Sequence, residues 1–341
     1  MKKVYYLFFL FSLIVFQVSY GQQTDTSYKK FIGKFINKGN LFGYAFTGFY
    51  YGFNNNSRPR TAFEAKSVLL GYKYQVTDKI KVIIVSDISK ATTILDSAGK
   101  PMNVKYYEDT KYLFWLKQAE IDWEINKYVE LNLGCLVLDQ FLTLQDAFWG
   151  HRYIDVTFQE LNLYGIPSDL GAKVKFRFGK YVEYDFSVLN GEGAKRYQDI
   201  NGKFLYANNL LIFPVKNLVL KAYFDYERRN NSTEADRYTI SGFAGYKNDK
   251  FMIGAEYARI FNYGHRANNP FSGASFYSSY TFYKKFEVFA RCDWSIEPGN
   301  KFYLIGGLQY QPVKNLKISL NYRQFTPDNI SKIYLNAGFF L

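Results

Sequence analysis

Apolar and polar residues alternate along most of this chain with a period of two. That is the spacing of a strand whose two faces meet different media. Leu170, Ala172, Val174, Phe176 and Phe178 occupy every second position, with Gly171, Lys173, Lys175 and Arg177 between them. Leu218 to Tyr226 repeats the pattern around Lys221 and Asp225, and Phe286 to Trp294 around Glu287, Arg291 and Asp293. Leu316 to Tyr322 does so around Lys317, Ser319 and Asn321, and a final run leads from Ile333 to Leu341. Marking every such run predicts sixteen strands, starting near residues 41, 62, 79, 112, 128, 168, 181, 203, 216, 235, 250, 272, 286, 301, 315 and 331.

The connections between these runs alternate in length. After each even-numbered strand the link is tight, as at Thr77-Asp78, Asn126-Lys127, Gly179-Lys180, Val215-Lys216, Asn248-Asp249, Lys284-Lys285 and Val313-Lys314. After the odd-numbered strands it is generally longer and more polar, as in Asn54–Arg60, Lys90–Thr110, Asp139–Pro167 and Asn262–Pro270. Short turns at one end, longer loops at the other and an even strand count together predict an all-β, antiparallel transmembrane β-barrel. A β-sandwich has no reason to sort its loops by end, and no fixed-period repeat suggests a propeller or solenoid. Closure also removes the sheet edges that lipid could not hydrate.

Composition supports this class. Aromatic residues make up 20% of the 341 positions, with 33 Phe, 32 Tyr and 4 Trp. Rings near strand ends, such as Trp123, Phe178, Tyr246, Phe251, Phe286 and Tyr310, are expected to form interfacial girdles. No stretch beyond residue 20 approaches the roughly 18 apolar residues a spanning helix needs. The first residues read as an export signal: Met1-Lys2-Lys3, an apolar run from Val4 to Val18, then Ser19-Tyr20-Gly21 before a cut near Gly21/Gln22. A lone anchor helix is the competing reading, opposed by the shortness of the run and the polar residues that follow. The expected layout is a signal peptide over 1–21, a short periplasmic lead over 22–40 and a barrel over 41–341. Lys2 and Lys3 leave with the signal, so the formal charge of +13 falls to +11 on the mature chain. The two cysteines, Cys135 and Cys292, fall on outward positions of distant strands and read as small lipid-facing hydrophobes.

Sixteen strands leave room for an aqueous channel, and about twenty residues ahead of the first strand are too few for a plug domain. Alternation places Lys173, Lys175, Arg177, Lys221, Arg291 and Arg323 on the inner wall as basic candidates. Glu120, Asp122, Glu124 and Glu130 make strands four and five an acidic face, and strand six is a basic one. Such faces are expected to oppose one another and set a transverse field across the water column. An outward Leu220 should reject arginine, whereas inward Lys221 should accept it. The 29-residue connection Asp139–Pro167 carries Phe141, Phe148, Trp149, Tyr153, Ile154 and Phe158, which a solvated loop does not need. Folded inward, it would bury those rings and leave His151, Arg152, Asp155 and Glu160 to narrow the pore. The alternative is a surface loop covering a subunit contact.

Several motifs here resemble the phosphate-selective porin (O and P type) family. They are Ala147-Phe148-Trp149-Gly150-His151-Arg152-Tyr153-Ile154, Phe158-Gln159-Glu160-Leu161-Asn162, Asp169-Leu170-Gly171, Asn190-Gly191-Glu192-Gly193 and Pro214-Val215-Lys216-Asn217-Leu218. The resemblance covers Lys111 to Tyr226 and the remainder only by architecture. It implies a sixteen-stranded, usually trimeric outer-membrane channel whose third external loop forms the constriction. Family members that select phosphate carry lysines on that loop, and Asp139–Pro167 has none.

Catalysis is not expected. Only His151 and His265 could serve as a base, and neither lies beside a serine motif. No phosphate-binding glycine loop, metal-ligand spacing or cofactor motif is present. The basic residues are spread over strand faces, which does not suit nucleic acid. The expectation is a porin passing small hydrophilic solutes, weakly preferring anions, with outer-membrane lipid and two further copies of itself as partners. A structural or ligand-binding barrel with a closed pore is the alternative.

Overall fold

Alternation becomes a closed wall in the computed structural model. It describes residues 39–54, 59–90, 112–198, 202–229, 231–297, 299–326 and 328–341. The export signal, nearly all of the 22–40 lead and most of the Lys90–Thr110 connection lie outside the described residues. The strands are β1 (Gly39–Gly52), β2 (Thr61–Gln75), β3 (Ile80–Lys90), β4 (Tyr112–Asn126), β5 (Val129–Val137), β6 (Ser168–Phe178), β7 (Val182–Leu189) and β8 (Leu205–Ile212). They continue as β9 (Leu218–Glu227), β10 (Arg237–Lys247), β11 (Phe251–Phe261), β12 (Phe271–Tyr283), β13 (Phe286–Glu297), β14 (Lys301–Val313), β15 (Leu316–Phe325) and β16 (Ile330–Phe340). Every start lies within two residues of its expected position.

Each strand pairs with its sequence neighbours, and β1 pairs with β16 to close an antiparallel barrel of sixteen strands. The closing register runs from Tyr44 opposite Phe340 to Gly52 opposite Lys332. Side-chain oxygens shape the tight turns by accepting backbone N–H groups, which fixes a turn locally. Asn126 Oδ1 accepts from Tyr128 N at 2.8 Å and Val129 N at 3.1 Å. Asn248 Oδ1 does the same for Lys250 N and Phe251 N, and Thr77 Oγ1 for Lys79 N and Ile80 N.

Burial is inverted relative to a water-soluble protein. Large apolar residues such as Ile84, Leu133, Leu220, Leu308 and Leu320 are exposed on the outside, while Asn132, Asn209, Ser275, Asn321 and Asn336 are buried inside. The rings expected near strand ends, Trp123, Phe178, Tyr246, Phe251, Phe286 and Tyr310, are all exposed and lie towards the short-turn end.

One irregularity re-aims side chains. The β3/β4 register slips between Val85 and Ser86, which leaves Lys117 without an opposite residue. Such a bulge turns Trp115 and Lys117 to the interior on the odd parity, while Glu120 and Asp122 face it on the even one. Burial corrects the lipid-facing reading of Cys135. It is buried, 2% exposed, and its thiol donates to the carbonyl of bulged Lys117 at 3.5 Å. Cys292 is half-buried, and both thiols are free.

Candidate functional site

The connection between β5 and β6 is the longest one described, and its side chains meet the inner face of the wall. Leu138 N donates to Pro167 O at 3.1 Å and closes its base. It contains helix α1 (Leu144–Trp149) and the single turn α2 (Phe158–Leu161). Gly150 ends α1 in the left-handed region at φ 64°, its N–H donating to Asp146 O at 2.9 Å, the usual glycine stop.

Apolar packing seats the connection. Phe148, Trp149, Tyr153 and Ile154 form one cluster with inward Phe46, Val219, Phe243, Met252, Tyr277, Phe289 and Ile305. Phe158 and Tyr164 form another with Ala258 and Ile260. Two inward glycines provide the clearance. A Cβ on Gly338 would stand 2.7 Å from Tyr153 Cβ, and one on Gly245 would stand 2.5 Å from the Phe148 ring.

Polar anchors complete the seat. Lys221 donates to Gln140 O and Gln145 Oε1, both at 2.9 Å, and to Asp139 O. Lys173 pairs with Asp139 at 2.6 Å. Arg323 donates to Ile154 O at 2.8 Å and pairs with Asp155 at 3.0 Å, and Tyr303 donates to the same carboxylate at 2.6 Å. Arg291 pairs with Asp293 at 2.6 Å and donates to Val156 O. Tyr153 Oη donates to Gln309 at 3.0 Å, and Gln159 to Glu256 at 2.7 Å. Strands from β6 round to β15 therefore grip one segment.

The four candidate constriction residues separate. His151 is only 3% exposed, held between the Trp149 and Phe289 rings. Its Nε2 stands 3.1 Å from Glu287 and its Nδ1 faces Trp149 O. Arg152 is a brace inside the connection, bidentate to Glu160 at 2.6 and 2.7 Å and bonded to Asp146 at 2.9 Å. Arg152, Asp155 and Glu160 all line a cavity of about 470 Å³ bounded by β2, β3 and β4.

The wall candidates also divide. Lys173, Lys221, Arg291 and Arg323 point inward, yet their charged ends are engaged by the connection or a neighbour. Arg177 pairs with Glu130. Lys175 stands opposite Glu130 on one side and Asp185 on the other. The expected transverse field is corrected by this arrangement. The acidic β5 and the basic β6 are adjacent, so their charges meet sideways, as where Arg177 pairs with Glu130, and on the other flank Lys81 of β3 pairs with Asp122 of β4 at 2.8 Å.

Sequence reasoning overlooked the far side of the cavity. Its lining there includes Glu64, Lys66, Asp87, Trp115, Lys117 and Lys195, beside Arg323, which alternation had already placed on the inner wall. Lys66 donates to Ile154 O, Lys117 pairs with Asp87 at 3.3 Å, and the Lys195 ammonium lies 3.9 Å from the Trp115 ring centroid. The full lining carries five cations and four carboxylates. At the short-turn end, a hollow of about 740 Å³ opens beside Leu144 and Phe148, lined by Lys180, Lys216 and Lys247.

No known family profile matches this chain, and none of the curated proteins matches it by sequence. Solved structures do. A mutant of the Rh. blastica porin superposes with a TM-score of 0.58 at 14% identity, covering 89% of this chain and 100% of its own. OmpF of Salmonella typhi, solved with daunomycin, gives 0.60 at 11%, covering 89% and 97%. The outer membrane protein OmpT of Vibrio cholerae, in a trimer form, gives 0.57 at 10%, covering 89% and 99%. At these identities the likeness is one of fold: a sixteen-stranded closed barrel.

Proposed function

We propose that this protein is an outer-membrane porin through which small hydrophilic solutes diffuse passively. One observation carries the reading. A closed wall with an apolar exterior surrounds a charged interior, and a polar cavity remains between the β5–β6 connection and β2–β4. In lipid only helices and closed barrels satisfy every backbone group, so an apolar band outside such a barrel fits a membrane. The N-terminal export signal, with removal near Gly21/Gln22, agrees with a Gram-negative outer membrane. The chemistry is exclusion and steering. His151, Arg152, Asp155 and Glu160 belong to the segment that sets the width, and the cavity's excess of one cation gives a weak anion preference. A homotrimer is the assembly proposed, in keeping with the trimer form of the V. cholerae protein. Phosphate selectivity is not part of the proposal, because the connection carries no lysine.

The grip on the connection favours one competing reading. Charged anchors and the cluster around Trp149 hold it firmly, which also suits a structural or ligand-binding barrel with a closed pore. Single-channel recording of the refolded mature chain in planar bilayers decides between the two. A porin gives stepwise ohmic current. A closed barrel gives none until Phe148–Tyr153 is deleted.

A further inference from the structure

Every one of the seven short turns carries a lysine. Lys79, Lys127, Lys180 and Lys216 occupy the first four, and Lys250, Lys284, Lys285 and Lys314 the other three. The same turns hold only two acids, Asp78 and Asp249. All eight lysines are exposed, and none forms a salt bridge among the described residues. The longer connections at the other end, the β5–β6 segment aside, carry eleven basic and eight acidic residues over a far longer stretch. Charge at the turn end is therefore dense and strongly net positive.

Position decides what this ring meets. Exposed, outward rings lie immediately beside the lysines. Tyr128 and Tyr181 follow Lys127 and Lys180, whose ammonium groups stand 4.8 and 5.1 Å from those ring centroids. Phe251 follows Lys250, while Tyr283 and Phe286 flank Lys284-Lys285. A ring with a polar edge settles at headgroup depth, and lysines just beyond it reach the phosphate layer. Each such lysine gains attraction from an anionic surface. We infer that the turn end binds the anionic phospholipid headgroups of the leaflet it crosses, so that the barrel carries a selective annulus of acidic lipid there.

The inference rests on the membrane-spanning reading above, and the test separates the two. The full mature chain is reconstituted into phosphatidylcholine vesicles with trace spin-labelled phosphatidylglycerol or phosphatidylcholine, and the motionally restricted fraction is measured at low and at molar salt. Expected is a several-fold enrichment of phosphatidylglycerol at low salt, lost at molar salt. Replacing the eight turn lysines by glutamine should abolish the enrichment, and replacing them by arginine should keep it. Arg228→Gln, Arg229→Gln and Arg266→Gln at the opposite end should leave it unchanged. Equal partition of both lipids, or enrichment that survives the glutamine variant, overturns the annulus while the barrel reading stands. No restricted lipid of either kind overturns both. Soluble polyglutamate bound in place of any lipid preference would assign the ring to an acidic protein instead and overturn the lipid claim.

Discussion

Leu220 and Lys221 are consecutive residues of β9 with opposite surroundings. The leucine is 39% exposed on the outer face, and the lysine is 6% exposed under three acceptors of the connection. Arginine at position 220 should cost about 2–4 kcal/mol where that face meets the bilayer centre. The sequence-based expectation that Lys221 accepts arginine is revised by its contacts. A planar fork cannot aim at three acceptors converging on one ammonium, so Lys221→Arg should loosen the connection and Lys221→Met more so. Denaturant midpoints of the bilayer-refolded variants measure the first effect, and protease cleavage within 139–167 the second. His265, in the β11–β12 connection, gives a pH-dependent contact. Its Nδ1 faces Ala235 O at 3.0 Å and its Nε2 faces Glu227 at 3.3 Å, so both nitrogens donate best when the ring is protonated. The hydrogen bond to Glu227, with help from the Ala235 carbonyl, raises the His265 pKa above its ordinary value despite partial burial. A raised value means the contact stabilises fully below the ordinary histidine value near 6.5 and fades as pH climbs through the raised one. Amide exchange at Ala235, whose N–H donates to His265 O at 2.8 Å, should lose protection over that window beyond the intrinsic pH effect. His265→Gln should remove the extra dependence.

At the scale of elements, the connection depends on its glycine seats. Valine at Gly338 would press on Tyr153, and valine at Gly245 on Phe148, whose edge would lie 2.5 Å from the new Cβ. Neither contact relaxes cheaply, because both partners sit in one packed cluster. Each variant should close as a barrel, with the same unboiled gel mobility, yet show noisier and larger current steps as the connection lifts. Strands were legible in the sequence because a two-sided medium writes itself as period two. The inward aromatics of the connection were legible for a related reason, since Phe148, Trp149 and Tyr153 have no use in water. The site's far side was not. At β4 the bulge at Lys117 flips parity, so a strict count from Glu120 and Asp122 places Trp115 and Lys117 outside. Anchors on β9, β13 and β15 were seen as inward charges, but alternation cannot tell a lysine facing water from one facing a carbonyl 81 residues away.

Across the whole molecule, the porin reading proposed above turns on which charge its water path would favour. Five cations and four carboxylates line the cavity, and pairing does not leave them equal. Arg152 is shared between Glu160 and Asp146, and Arg323 faces Asp155. Lys66 and Lys195 instead meet a carbonyl and an indole ring, so no direct ion pair among the described residues cancels either charge. Charges this close to a solute are weakly screened, because the Debye length is about 8 Å at physiological salt and about 3 Å at 1 M. Reversal potentials in a salt gradient should therefore show a weak anion preference that fades in concentrated salt. Arg152→Ala leaves two carboxylates uncompensated and should turn the preference towards cations. Lys195→Glu should do the same without disturbing the brace. Lys175→Glu, opposite Glu130 and Asp185 and absent from the cavity lining, should move the potential least. A cation preference in the unmodified protein would refute the anion claim and leave the channel standing. A larger response to Lys175→Glu than to Lys195→Glu would show that solutes pass along β6 and not along β2–β4.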